Sequence, residues 1–285
     1  MYARSITRTH RTAFVVAIDG SGSMAEPIRF RGRSATKAEA VAEVADELLF
    51  ELIERARRDD GVRDYYDIAL IGYGGDDRVE SLLPDGAETL TVAELAARRP
   101  VLRTRSEELR LPDGRIALRE TTFPQWVAPH AAGQTPMCEA LRRCRDLADA
   151  WCARAENAAS FPPVVFNITD GEATDCDDEE LRAVAAQIRS LGTADGNVLL
   201  INIHLAADDE GRTLFFPGAD ERPGPNRYAQ LLYDCSSQMP APFDEAIRRE
   251  KGPGALPPFR GMSFNASATQ LLTMLNIGSI SIKTE

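Results

Sequence analysis

The chain has 285 residues, 44% of them hydrophobic, with 33 Lys and Arg against 44 Asp and Glu, a formal charge of −11. That acidic balance argues against nucleic acid and against anionic membrane surfaces as partners, and no apolar run is long enough to span a bilayer. The length suits one α/β domain, 1–285, carrying an insertion at about 84–129.

In chain order, the first twelve residues carry Arg4, Arg8 and Arg11 but no apolar core, so no secretory signal is expected. Ala13-Phe14-Val15-Val16-Ala17-Ile18 is an unbroken apolar run rich in β-branched residues, which predicts a strand buried on both faces. Asp19-Gly20-Ser21-Gly22-Ser23-Met24 follows directly. It leaves one carboxylate and two hydroxyls at alternate positions on a Gly-rich turn, a set able to converge on a hard divalent cation. Over 37–57, Val41, Val44, Ala45, Leu48, Leu49, Leu52 and Ile53 share one face, predicting an amphipathic helix on the sheet. Residues 67–73 predict the next strand, Gly74-Gly75-Asp76-Asp77 a turn, and 78–83 an antiparallel edge strand.

Thr91 and Glu94 have capping-box spacing at the start of a short helix that stops near Pro100. Stretches 101–111 and 115–123 flank Pro112-Asp113-Gly114 and predict a β-hairpin within the insertion. Thr135-Pro136 opens a helix to about 155, with Pro at its first position. A strand at 163–169 and a helix at 178–191 follow, the helix ended by Gly192. Residues 197–205 read as another strand, and 208–226 as a long loop carrying Phe215-Phe216. Helices at 228–235 and 243–249, a strand at 260–265 and a helix at 267–275 complete the reading. The five cysteines (Cys138, Cys144, Cys152, Cys176, Cys235) are odd in number and lack C-x-x-C spacing, so free thiols of a cytoplasmic protein are expected.

The segment Asp19-x-Ser21-x-Ser23 resembles the metal-ion-dependent adhesion site of the von Willebrand factor A (VWA) family. Gly133-Gln134-Thr135-Pro136-Met137 is similar to that family's threonine loop, and Val164-Val165-Phe166-Asn167-Ile168-Thr169-Asp170-Gly171 to the strand ending in its second aspartate. The resemblance implies hydroxyl ligands from Ser21, Ser23 and Thr135, with Asp19 and Asp170 acting directly or through water. It implies Mg²⁺, or Mn²⁺ or Ca²⁺, with one coordination position left for a carboxylate from a protein partner. The fold class expected is α/β: a doubly wound, mostly parallel sheet with one antiparallel edge strand, helices on both faces and a β-hairpin insertion. In that fold the strands before Asp19, Asp170 and the 208–226 loop end at one rim, so that loop is expected on the metal face.

Other residues admit two readings. Asp175, Asp177, Asp178, Glu179 and Glu180 are candidates for a second cation beside Asp170, but Asp177 with Glu180 has capping-box spacing and acids favour a helix amino end. His130 reads as a near neighbour of the site or as a solvated loop residue, and His204 as a satisfied buried group. Phe215-Phe216 reads either as a partner-facing patch or as folded back. The expected function is non-catalytic, metal-dependent recruitment of a protein. The alternative is a metal-assisted hydrolase or phosphatase, for which His130 and Glu172 are the nearest acid–base candidates. Met24 to Ile28 is similar to TerY-like members of the family, which implies a bacterial stress or defence module with an AAA+ ATPase of the MoxR type, or a kinase or phosphatase, as partner.

Overall fold

A computed structural model of the chain describes residues 2–76, 78–98, 100–110, 116–205, 213–267, 270, 271 and 273–275. Eight strands make the central sheet: β1 Thr12–Gly20, β2 Tyr66–Gly74, β3 Arg78–Ser81, β4 Leu90–Thr91, β5 Val164–Thr169, β6 Leu199–Leu205, β7 Leu214–Phe215 and β8 Met262–Ala266. Their order is β7-β8-β6-β5-β1-β2-β3, with β4 also paired to β2. The pairs β2–β1, β1–β5, β5–β6 and β6–β8 are parallel. Antiparallel pairing is confined to the margins, β3 and β4 on β2 and β7 on β8. The sequence predicts one antiparallel edge strand. The sheet has one at each edge, because part of the 208–226 segment pairs with β8.

Helices α1 Lys37–Ala56, α2 Val92–Ala97, α3 Met137–Cys152, α4 Asp178–Ser190, α5 Arg227–Cys235 and α6 Asp244–Lys251 cover both faces. The alternation along β1 shows how. Phe14, Val16 and Ile18 pack with Val41, Leu48 and Leu52 of α1, Leu95 of α2 and Ile247 of α6. Val15 and Ala17 face the other way, onto Leu141 of α3, Ile188 of α4 and Leu232 of α5. Every residue of β1 is buried, as a strand sandwiched between two helical layers requires. Burying each of the larger apolar side chains contributes about 1.5–3 kcal/mol. The amino end of α1 is fixed by a capping box between Thr36 and Glu39, and that of α2 by one between Thr91 and Glu94. Pro136 is the cap of α3 and not its first helical residue.

The predicted 208–226 loop holds more structure than its composition shows, and the predicted hairpin of the insertion forms. Phe216 is fully buried in the α1-side core, and its N–H bonds to the Met262 carbonyl at the start of β8, 2.9 Å away. By Phe216 the chain has therefore run antiparallel down the sheet edge, away from the rim where β1, β5 and β6 end. The expectation that this loop stays on that rim is corrected for residues 214–217; residues 208–212 lie outside the described residues, and the segment ends at Asn226, the cap of α5, two residues before Tyr228, whose hydroxyl donates to the Gly171 carbonyl beside Asp170. The insertion forms an antiparallel hairpin, Val101–Arg110 with Ile116–Gln125. Its expected turn at Pro112-Asp113-Gly114 lies outside the described residues. The hairpin leads back across α1, where buried Asp46 accepts from the N–H groups of Trp126 (2.8 Å) and Val127 (2.9 Å).

Candidate metal centre

Parallel pairing brings the carboxyl ends of β1, β5 and β6 to one rim, and the three sequence motifs meet there. Asp19, at the end of β1, is buried, and its two carboxylate oxygens are both engaged. One accepts from the Ser21 N–H at 2.8 Å and the other from the Thr169 hydroxyl at 2.8 Å. The Ser21 and Ser23 hydroxyls lie 3.2 Å apart, and Ser23 donates to Asp170 Oδ1 at 2.6 Å. Asp19, Ser21, Ser23 and Asp170 thus form one continuous polar chain across a sequence separation of 151 residues.

The threonine loop is stitched to this chain through backbone. Ala132 N–H donates to the Gly20 carbonyl (2.8 Å), Gly22 N–H to the Gly133 carbonyl (3.0 Å), and Gly75 N–H to the Ala132 carbonyl (2.6 Å). Segment 132–134 therefore threads between the ends of β1 and β2. Only glycine fits at 133, because its φ is +68° and an added Cβ would lie 1.7 Å from the Gly75 carbonyl oxygen. Thr135 is buried, and its N–H donates to the Thr174 hydroxyl while its carbonyl accepts from the Thr174 N–H, each at 3.0 Å.

The charges are unequal in their surroundings. Burial pushes the Asp19 carboxyl up to about 6, and the Ser21 and Thr169 bonds only partly oppose this. Among the described residues no basic side chain pairs with it. Asp170 has such a partner: its Oδ2 lies 2.9 Å from the ammonium of buried Lys37, which also holds Glu26 at 2.6 Å. The Ser21 and Ser23 hydroxyls with the Asp19 and Asp170 carboxylates are a hard-oxygen donor set, and an uncompensated buried carboxylate is a deficit of positive charge. Both features fit a divalent cation such as Mg²⁺.

A cavity of about 270 Å³ lies beside Asp19, lined among others by Ile18, Ala38, Ala42, Tyr73, Leu82 and His130. His130 itself is exposed, with its ring against Gly20 and Gly75. His204 stacks on Phe264 at 4.3 Å and accepts from the Asn265 N–H at 3.3 Å. Burial pulls its imidazole down to about 4, so it is a neutral packed group, as the sequence predicts. In the acidic stretch after Asp170, Asp177 caps α4 through the Glu180 N–H. Asp175 instead caps α3, accepting from the N–H groups of Cys138 (3.1 Å) and Glu139 (2.8 Å).

Sequence reasoning misses Thr169, Lys37, Thr174 and Tyr228, whose hydroxyl donates to the Gly171 carbonyl. Thr169 was within reach, since it directly precedes Asp170 and its side chain must leave the sheet on the side opposite Ile168. The others act through contacts no local pattern encodes.

No family model matches the chain, and no curated protein matches it. Among solved structures, a von Willebrand factor type A protein from Catenulispora acidiphila is similar at 17% identity and TM-score 0.39, over 69% of this chain and 34% of that one. The vWF domain of the type V pili tip protein Mfa5 from Porphyromonas gingivalis is similar at 14% identity and TM-score 0.33, over 57% of this chain and 39% of that one. An uncharacterized membrane spanning protein from Vibrio fischeri is similar at 14% identity and TM-score 0.27, over 69% of this chain and 71% of that one. The chain thus spans well under two thirds of the first two. Likeness at these scores carries no functional weight. Among the described residues, no helix is long and apolar enough to cross a membrane.

Proposed function

We propose that the chain is a VWA-like protein-binding module whose docking rim is organised by a divalent cation, Mg²⁺ or Mn²⁺ or Ca²⁺, held by Ser21, Ser23, Thr135, Asp19 and Asp170. The supporting observation is the unbroken contact chain from Asp19 through Ser21 and Ser23 to Asp170, with the Gly133 carbonyl bonded to Gly22 beside it. Asp19 is held from behind by Thr169 and the Ser21 N–H, which suits a role through water, while the two serine hydroxyls face each other. A cation bound by mostly neutral hydroxyls keeps net positive charge and attracts an acidic side chain from a partner. Segment 132–134 and the Asp170 loop would fix how that partner approaches. A partner of the AAA+ ATPase class, or a kinase or phosphatase of the same system, in the cytoplasm, accords with the motif resemblance.

Binding is preferred to hydrolysis on the surroundings of the rim. His130 and Glu172 are both exposed, and among the described residues neither side chain makes a hydrogen bond that would orient it as an acid or base. The deciding experiment is isothermal titration with Mg²⁺ and Mn²⁺ on the wild type and on Asp170→Ala, followed by capture of partners with Mg²⁺ or with chelator. Loss of both cation and partner in Asp170→Ala supports the reading. Partners retained equally under all conditions would overturn it, as would phosphate release from a generic ester that Asp19→Ala abolishes.

A further inference from the structure

Behind Thr135, on the α3–α4 side, lies a second cluster of a different chemical kind. The Sγ atoms of Cys138 and Cys176 and a carboxylate oxygen of Glu180 all lie within 4.8 Å of one another. Cys138 sits in the first turn of α3, Cys176 directly before the Asp177 cap of α4, and Glu180 in the first turn of α4. We propose that Cys138, Cys176 and Glu180 form a second cation site, selective for a thiophilic divalent ion such as Zn²⁺, with its fourth position open to water.

Four observations carry this. The three ligand atoms are close enough together to surround one ion, and two sulfurs with one oxygen suit zinc and exclude magnesium. Exposure grades outward, with Cys138 buried, Cys176 half-buried and Glu180 exposed, so the cluster has a closed base and an entry side. Charge balances: two thiolates and a carboxylate around a divalent ion leave one negative charge, and the Arg142 guanidinium already holds Oε1 of Glu180. That leaves Oε2 to ligate while Arg142 fixes the carboxylate from outside. Finally, the two loops are already fastened together by Asp175 on the amino end of α3 and by the Thr135–Thr174 pair, so binding would require little reorganisation. Those helix amino ends also favour thiolate over thiol once an ion is present. Without one, burial holds both thiols protonated, which makes them slow toward peroxide, and the ion would displace a proton from each.

The site stands or falls independently of the oxygen-lined one. Reduced wild-type protein, freed of metal, is titrated with Co²⁺ and then Zn²⁺. One equivalent of cobalt should give an intense near-ultraviolet sulfur-to-metal band with the visible spectrum of a tetrahedral ion, and zinc should abolish it. Cys138→Ser and Cys176→Ser should each lose most of the band, and Cys152→Ser should keep it. Asp170→Ala should lose Mn²⁺ binding yet keep the cobalt band, which separates failure of one site from failure of the other. A measurement on the wild type alone guards against misfolded variants: zinc should shield Cys138 and Cys176, but not Cys152, from alkylation read by mass spectrometry. Weak octahedral cobalt bands would overturn the proposal. So would equal alkylation with and without zinc, or a Cys138–Cys176 disulfide formed by peroxide at the same rate in excess zinc.

Discussion

Lys37→Met tests whether a lysine and a metal ion share the task of neutralising Asp170. Lys37 is 3% exposed, its ammonium bridges Asp170 to Glu26, and the Asp170 side chain is fully buried. Methionine keeps the aliphatic stem and its packing, so the change removes mainly charge. Breaking a buried ion pair from one side costs about 3–5 kcal/mol. Losing the Glu26 contact adds less than about 1 kcal/mol, because Glu26 is 54% exposed. In chelator the variant should therefore be about 3–6 kcal/mol less stable than the wild type. Mg²⁺ at a hundredfold excess over its dissociation constant stabilises any binding-competent fold by about 2.7 kcal/mol. In the variant the ion is the sole counter-charge for Asp170 and no longer competes with an ammonium, so its effect should be larger. The gap between the two proteins should narrow to about 1 kcal/mol or less in saturating Mg²⁺. Urea unfolding followed by circular dichroism, in chelator and in Mg²⁺, reads both values. A gap of the same size in both conditions would refute the reasoning, as would no gap in chelator.

Three further outcomes are expected. Asp46 has its carboxyl pushed up to about 7, chiefly by burial and then by Glu43 and Glu47, against the opposing pull of the Val127 and Trp126 N–H groups. A folded value above the unfolded one means Asp46 withdraws stability as pH rises from about 4 to about 7. Asp46→Asn can keep both N–H bonds, so its stability relative to wild type should rise by about 3 kcal/mol between pH 4.5 and 8, and parallel unfolding curves would contradict this. Asp19, raised to about 6 by burial, must ionise fully to serve a cation. Mg²⁺ affinity should fall about tenfold per pH unit below about 6, with proton release detectable by calorimetry in buffers of differing ionisation enthalpy. Affinity flat from pH 5 to 8 would remove Asp19 from the site. Gly133→Ala would drive a methyl group into the Gly75 carbonyl, so it should cost at least about 2 kcal/mol and abolish Mn²⁺ binding, whereas Gly224→Ala, in open space, should do neither.

What could be read from the sequence follows from how local each feature is. β1 is a contiguous apolar run, and β5 and β6 are apolar runs broken only by Asn167, Asn202 and His204; β1 and β5 end in the site loops, and the register of all three follows from both faces being buried. The helix starts at Thr36, Thr91 and Asp177 depend on side chains three residues from the groups they cap. Lys37 was invisible because a lysine opening a helix is ordinary, and its partner Asp170 lies 133 residues on. Asp175 lies in sequence beside the α4 cap, yet the amino end it serves belongs to α3, which precedes it. The strand Leu214–Phe215 was missed because two residues carry no period, and only the exposed edge of β8 makes them a strand.

The stapling of Trp126 and Val127 to Asp46 gives the hairpin a mechanical relation to the threonine loop. Only five residues separate Val127 from Gly133, and at full stretch they span about 20 Å. The Asp46 contact at one end and the Gly22–Gly133 contact at the other are therefore joined by one short span of chain. One buried carboxylate thus sets where the chain leaving the hairpin starts its run to the rim.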